Sequence, residues 1–191
     1  MDLEHFGDSY DLVKKSLLTW LKPFGDWSAF PMFTHHVEPA DADRFSRFLS
    51  VPLISIDTID IRTDRHPYFR QFLGAGNLFL DPNKGLKIGR GRKPEYVYGD
   101  EIRLLSEQRP KSLTMIFDQS FDRTKGVALF DSAKFQVREK LDWFAANQMS
   151  GFAYISHAAF VVVSHDRDLI TSAYETLIDS SDLPKSRFIV V

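Results

Sequence analysis

Apolar residues recur at helical spacing near the start of the chain, on a face formed by Val13, Leu17, Trp20 and Leu21. Asp8 or Ser9 can cap this helix, and Pro23 ends it. The other flank of the helix carries Lys14 and Lys15. The pattern therefore predicts an amphipathic first helix that packs on a core through its apolar face.

Short and continuously apolar runs predict buried strands farther along, at Trp27 to Thr34, Pro52 to Asp57, Asn77 to Leu80 and Leu113 to Phe117. Pro31 predicts a bulge or a strand end within the first run. Helical patterns separate the strands, at Pro39 to Leu49, Asp100 to Gln108 and Ser132 to Asn147. The stretch from Thr58 to Leu73 has no sustained period and is assigned no element.

In the C-terminal part, two strand-like runs follow each other without a helix between them. Phe152 to Ser156 and Phe160 to Ser164 are strand-like, and the few residues between them allow only an antiparallel pairing. A helix from Asp168 to Ile178 and a terminal strand follow. The order predicts a single α/β domain over residues 1–191, with an open, mostly parallel sheet, helices on both faces and an antiparallel strand near the C-terminus. A second interpretation makes Leu113 to Val191 a separate ferredoxin-like unit.

Composition narrows the class of protein. The chain has 191 residues, of which 43% are hydrophobic and 26% charged, which is enough for one globular core. It has no cysteine, so disulfides and thiolate zinc sites are excluded. Neither a signal peptide nor a membrane-spanning run is visible, so we expect a cytoplasmic protein without a membrane partner. The net charge of -2 means that a nucleic acid would have to be met by a local basic patch, and the oligomeric state stays open.

Three predicted strands are each followed by an aspartate, namely Asp57, Asp81 and Asp118. Since ligands meet the carboxyl ends of strands in open α/β sheets, we expect these carboxylates along one edge. Pro82 fixes the backbone directly after Asp81. One interpretation is a metal-dependent nuclease or phosphoesterase in which the three aspartates hold Mg²⁺.

A basic segment follows, from Lys84 to Lys93. It contains five cations and no acid, the cations being Lys84, Lys87, Arg90, Arg92 and Lys93. Three interleaved glycines predict an exposed and mobile loop. Such a loop is either solvated surface or a contact for nucleic-acid phosphates, and the second interpretation implies steep salt dependence.

Two stretches of sequence resemble a known group of proteins. GDSYDLVKKSLLTWL resembles the Gly-Asp-x-x-Asp-x-x-Lys-x-x-Leu-Leu segment of uncharacterised bacterial proteins similar to the three-Cys-motif partner proteins, and more distantly the ribosomal RNA adenine-N6 methyltransferases. NLFLDPNKG is similar to the fourth motif of amino methyltransferases, a strand followed by Asp-Pro-Pro-Tyr. The resemblance rests on Gly7, Asp8, Asp11, Lys14, Asp81, Pro82 and Gly85.

The resemblance implies a methyltransferase-like, Rossmann-like fold with catalytic residues Asp81, Pro82 and Asn83. It also implies that S-adenosylmethionine binds near Lys14, Thr34, His35 and Asp57. Two departures stand out, because the turn after the first strand has no glycine and Asn83-Lys84 replaces Pro-Tyr. We therefore expect a methyltransferase-like protein that acts on or binds nucleic acid and has a degenerate cofactor site. A non-catalytic module that binds nucleic acid or protein is the remaining alternative.

Overall fold

The computed structural model of the protein describes residues 6–70, 76–122 and 129–191. The helices are α1 (Ser9–Leu21), α2 (Pro39–Leu49), α3 (Arg65–Arg70), α4 (Gly99–Glu107), α5 (Leu129–Ala146) and α6 (Arg167–Ser181). The strands are β1 (Trp27–Phe30), β2 (Asn77–Leu80), β3 (Gly85–Lys87), β4 (Tyr96–Tyr98), β5 (Thr114–Asp118), β6 (Ser150–Ile155), β7 (Ala159–Ser164) and β8 (Phe188–Val190). Short 3₁₀ turns, Lys22–Phe24 and Lys185–Arg187, precede β1 and β8.

Six strands form one mixed sheet in the order β1-β2-β5-β7-β6-β8. The pairs β1 with β2 and β2 with β5 are parallel, whereas β5 with β7, β7 with β6 and β6 with β8 are antiparallel. The expected antiparallel strand is thus β7, and its pairing with both neighbours confirms that prediction. The antiparallel part is larger than expected, because β8 also pairs in this way. The ferredoxin-like alternative is wrong, since β5 continues the same sheet into β2.

Helices cover both faces of the six-stranded sheet, because successive residues of each buried strand point to opposite sides. Phe79 packs into the core cluster beneath α1, α2 and α6, whereas its neighbours Leu78 and Leu80 pack into the cluster beneath α3, α4 and α5. The strand segments are fully buried in the centre of the sheet, as the continuously apolar runs predicted. None of the helices in the described ranges is long and apolar enough to cross a membrane.

Helix α1 begins where the sequence indicated, since the Asp8 carboxylate accepts the backbone N–H groups of Tyr10 and Asp11. Its lysine flank differs from the amphipathic pattern. Lys15 is half-buried, but Lys14 is only 4% exposed and lies on the face that packs toward the sheet. A buried ammonium needs a compensating charge, so the packing of α1 depends on partners that hydrophobic periodicity does not show.

The strand predicted from Pro52 to Asp57 is wrong. Only a single β-bridge forms there, between Leu53 and Ala29. The Ala29 N–H donates to the Pro52 carbonyl, and the Ala29 carbonyl accepts the Ile54 N–H. The cause lies in β1, which ends at Phe30 because Pro31 lacks an N–H to continue the ladder. The segment therefore leaves the sheet after Ile54, and Asp57 is exposed to solvent.

Strands β3 and β4 form a separate two-stranded parallel sheet that the sequence did not predict. It frames the basic segment, since β3 begins directly after Lys84 and β4 follows Lys93. Leu86 and Val97 are fully buried, and they anchor this small sheet on the same core as α4 and α5. The stretch left unassigned also contains an element, the short helix α3.

Candidate functional site

The carboxyl end of β2 carries the predicted catalytic residues. Asp81 is 1% exposed, and its backbone N–H donates to the carbonyl of Phe30 at 2.9 Å. Pro82 is buried, while Asn83 is half-buried and its carbonyl accepts a hydrogen bond from the Gln119 side chain at 2.8 Å. The Asp81 carboxylate is therefore enclosed by protein.

Lys14 is the partner that holds this carboxylate. Its ammonium donates to Asp81 at 2.9 Å and to Asp11 at 3.0 Å, and it lies 4.4 Å from the centre of the Phe117 ring. Asp11 also accepts the backbone N–H of Gly7 at 2.9 Å. Asp11 and Lys14 come from one of the two resembling stretches and Asp81 from the other. The structure thus joins the two stretches in one buried cluster.

The charges of this cluster perturb one another. Burial alone would lower the pKa of Lys14, but the charges of Asp81 and Asp11 outweigh it and raise that pKa above its ordinary value. Burial also raises the pKa of Asp81, against the opposing effect of Lys14, and the second carboxylate of Asp11 adds to the rise. Two acids share one ammonium here, and the pKa values of Lys14 and of Asp81 both lie above their ordinary values.

A second lysine and aspartate pair stands at the end of β5. Asp118 is fully buried, and Lys140 of α5 donates to it at 2.6 Å and to the Ser120 hydroxyl at 2.9 Å. The other carboxylate oxygen of Asp118 accepts the backbone N–H of Leu86 at 3.0 Å. Asp118 therefore ties the small sheet to the large one, and sequence analysis missed Lys140 entirely.

The turn after β1 is the predicted cofactor position. Met32 and Phe33 are 0% and 1% exposed, so their side chains occupy the space that a glycine turn would leave open. Met32 has a φ of 49°, in the left-handed region that glycine adopts more easily. The buried Thr34 hydroxyl has no hydrogen-bond partner among the described residues, and His35 is exposed. These residues do not fit the methionine moiety of S-adenosylmethionine, although Thr34 retains an unused polar atom.

The three aspartates do not converge on a metal site. Asp81 and Asp118 end neighbouring strands, but each is bound to its own lysine, and Asp57 is exposed with its N–H on the Ser55 hydroxyl at 2.9 Å. Residues 6–70, 76–122 and 129–191 contain no group of three or more His, Cys, Asp or Glu side chains that could hold a metal ion. Mg²⁺ would have to displace a lysine from each buried carboxylate.

The basic segment is exposed as predicted, with solvent-accessible side chains at Lys84, Lys87, Arg90, Arg92 and Lys93. Acids from outside the segment pair with two of its cations, since Lys84 lies 3.6 Å from Glu95 and Arg90 lies 2.8 Å from Asp100. The described part of the chain gives no such ion pair to Lys87, Arg92 or Lys93.

The backbone of the basic segment is anchored rather than loose. Gly85 lies so close to Asp118 that an added Cβ would come within 2.2 Å of its carboxylate. Near the other end, the Lys93 N–H donates to the Tyr98 hydroxyl at 3.1 Å, and Gly91 lies directly against the Tyr98 ring. The prediction of a mobile loop therefore overlooked contacts that hold the segment at both ends.

The site thus combines two enclosed lysine and aspartate pairs at the carboxyl edge of the sheet with an anchored, exposed run of cations beside them. Comparisons with protein-family models, with curated proteins and with solved structures found no match.

Proposed function

We propose that this chain is a methyltransferase-like protein that binds nucleic acid through its basic segment and has a degenerate S-adenosylmethionine site. The resemblance of the two stretches supports the scaffold, and their meeting at Lys14 and Asp81 is consistent with it. A parallel run of β1, β2 and β5 followed by antiparallel β7 also agrees with the fold that this resemblance implies.

One observation carries the proposal of nucleic-acid binding. Lys87, Arg92 and Lys93 are exposed on an anchored segment, and none of the described acids forms an ion pair with them. Lysine and arginine side chains that are not neutralised within the protein are available to displace counterions from phosphates. Anchoring adds to this, because a pre-formed backbone loses less conformational entropy when it binds.

The enclosed acids support binding rather than chemistry. A general base must come within hydrogen-bond reach of the proton that it abstracts, and Asp81 is enclosed together with Lys14. A pre-formed cofactor turn is also missing, since Met32 and Phe33 fill it. We therefore place the activity of this protein in recognition, with Asp81, Pro82 and Asn83 serving the scaffold.

The experiment is a titration of short single-stranded RNA, followed by fluorescence anisotropy, with and without the cations of the segment. The variant replaces Lys87, Arg90, Arg92 and Lys93 by Gln. We expect it to bind at least about tenfold more weakly at low salt than the wild type. For every phosphate that the variant no longer neutralises, the slope of log K against log salt should fall by roughly 0.7.

A matched control replaces two lysines and two arginines at the opposite edge of the sheet, namely Lys22, Arg47, Lys111 and Arg167, which are also exposed. This variant has the same net charge as the first, so it isolates position from overall charge. Equal losses of RNA affinity in the two variants would mean that only net charge matters, and this would contradict the proposal. Unchanged RNA affinity in the basic-segment variant would contradict it as well.

A further inference from the structure

A cleft opens beside the basic segment. It has a volume of about 640 Å³, and its two walls are residues 61–66 and the outer part of the basic segment at Arg90 to Arg92. Tyr98, Asp100 and Glu101, at the start of α4, form its floor. This volume is in the range of sites that receive small molecules, typically about 300–1,000 Å³.

The walls of the cleft are held in place before any ligand arrives. Arg65 joins one wall to the floor, because its guanidinium bonds to both carboxylate oxygens of Glu101 and donates to the Tyr96 carbonyl at 2.8 Å. The rings of Phe69 and Tyr98 lie 5.4 Å and 5.2 Å from the same guanidinium. On the other wall, the Asp100 N–H donates to the Gly89 carbonyl at 3.4 Å, and the exposed Arg90 side chain contacts the Asp100 carboxylate at 2.8 Å. The cleft is therefore preorganised, which reduces the entropic cost of binding.

Some of the charged side chains that line the cleft form ion pairs, and others do not. Arg65 pairs with Glu101, and Arg90 pairs with Asp100. Among the described residues, Arg62 on one wall, Arg92 on the other and the acid Asp64 are exposed and form no ion pair, so the lining has more cations than acids. Two unpaired guanidinium groups lining one concave site favour a phosphate, since arginine binds its oxygens in a bidentate manner. Ile61 lines the same cleft and is 63% exposed, which offers apolar surface beside the cations.

We infer that this cleft receives one nucleotide of a single-stranded nucleic acid, with the phosphate at Arg62 and Arg92 and the base against Ile61. The inference rests on the proposed function and names its substrate class. Bases of a duplex are stacked and paired, so a nucleotide can enter a cleft only from a single strand or after extrusion. The rest of the strand then follows the basic segment, where Lys87 and Lys93 contact further phosphates.

The test compares a single strand with a duplex of the same sequence, for the wild type and for the double variant Arg62→Gln/Arg92→Gln. We expect the wild type to bind the single strand at least about tenfold more tightly. The double variant should lose that preference and keep its affinity for the duplex within about threefold. Arg103→Gln is the control, because Arg103 lies on α4, pairs with Glu107 and does not line the cleft.

A second probe separates this inference from the proposed function. A nucleoside 5′-monophosphate is titrated into the isotope-labelled protein, and the backbone amide signals of Arg62, Gly91 and Arg92 are followed. Shifts at these amides that vanish in the double variant support the cleft, even if no longer nucleic acid binds. Single-strand binding that depends on Lys87 and Lys93, but shows neither strand preference nor sensitivity to the double variant, overturns the cleft and leaves the proposed function intact. Absence of both oligonucleotide binding and amide shifts overturns both.

Discussion

Cations in this protein occur in two regions with opposite surroundings. Lys14 and Lys140, at the carboxyl edge of the sheet, are 4% and 8% exposed, and each holds the carboxylate at the end of a strand. Lys87 and Lys93, in the neighbouring basic segment, are exposed and have no acid partner among the described residues. The same type of side chain is therefore buried in an ion pair in one region and exposed without an ion pair in the other. The sign of a charge says little about its role until its partners are known.

The largest expected effect is on stability, at the buried edge. Lys14→Met removes the ammonium that Asp11 and Asp81 share, and it leaves buried carboxylates without that compensation. We expect a loss of about 3–5 kcal/mol in the free energy of unfolding. Lys87→Met, which removes an exposed charge, should change it by no more than about 0.5 kcal/mol. Urea denaturation of the two variants measures both values.

A double variant sharpens that contrast. Lys14→Met combined with Asp81→Leu replaces one of the two ion pairs by apolar groups and leaves Asp11 with the Gly7 N–H, so it should recover part of the stability lost in the single variant. Equal and small losses for Lys14→Met and Lys87→Met would contradict the difference between the two regions.

The contribution of Lys14 should also depend on pH in a defined direction. Burial alone would lower the pKa of Lys14, but Asp81 and Asp11 outweigh it and raise that pKa above 10.5. A group whose pKa is raised by folding stabilises the protein while it is protonated, so its contribution is complete below pH 10.5 and is lost as the pH rises through the folded value. The stability difference between the wild type and Lys14→Met should therefore shrink as the pH rises through the folded-state pKa of Lys14. A difference already lost at about pH 9 would show that Asp81 and Asp11 do not hold the ammonium.

Two glycines of the basic segment, one against the buried Asp118 and one in open space, give a further test with a smaller expected loss of stability. Gly85 has a φ of 124° and lies against Asp118, whereas Gly89 has a φ of 76° and no atom of the described residues lies within 4 Å of a Cβ added there. Gly89→Ala should cost about 1–2 kcal/mol of unfolding free energy, through backbone strain alone. Gly85→Ala adds a clash with the buried carboxylate and should cost at least about 3 kcal/mol. Similar losses at both positions would mean that the basic segment is not anchored at Asp118.

Much of the central sheet could be predicted because its strands are buried on both faces and are therefore continuously apolar. This was true of β2, β5 and β7. The same signal misled at Pro52 to Asp57, where Leu53 and Ile54 are only partly buried and β1 ends too early for more than a single bridge to form. Strands β3 and β4 have only three residues each, which is too few to show a period, and β3 lies against β5.

The candidate site was predictable only in part. The resemblance named Lys14 and Asp81, but nothing in it indicated that the two would neutralise each other. Lys140 was missed, although a signal was present, because it falls at helical spacing among the inward-facing Val137, Leu141 and Phe144. A lysine within an apolar stripe needs a buried acid, and Asp118 at the end of a predicted strand was available. The cleft depends on residues 61–66, where the sequence has no readable pattern.

The smallest expected effect is in calorimetry with S-adenosylmethionine. Met32 and Phe33 fill the turn where a cofactor carboxylate would lie, and opening it would remove two almost fully buried side chains from the core. That cost opposes binding, so we expect a dissociation constant above roughly 100 μM, which corresponds to less than about 5.5 kcal/mol. The unused Thr34 hydroxyl is too little to offset it, since one neutral hydrogen bond contributes about 1 kcal/mol. A low-micromolar constant that Asp57→Ala abolishes would place the cofactor beside an exposed carboxylate, and catalysis at this edge would then depend on Lys14 releasing Asp81.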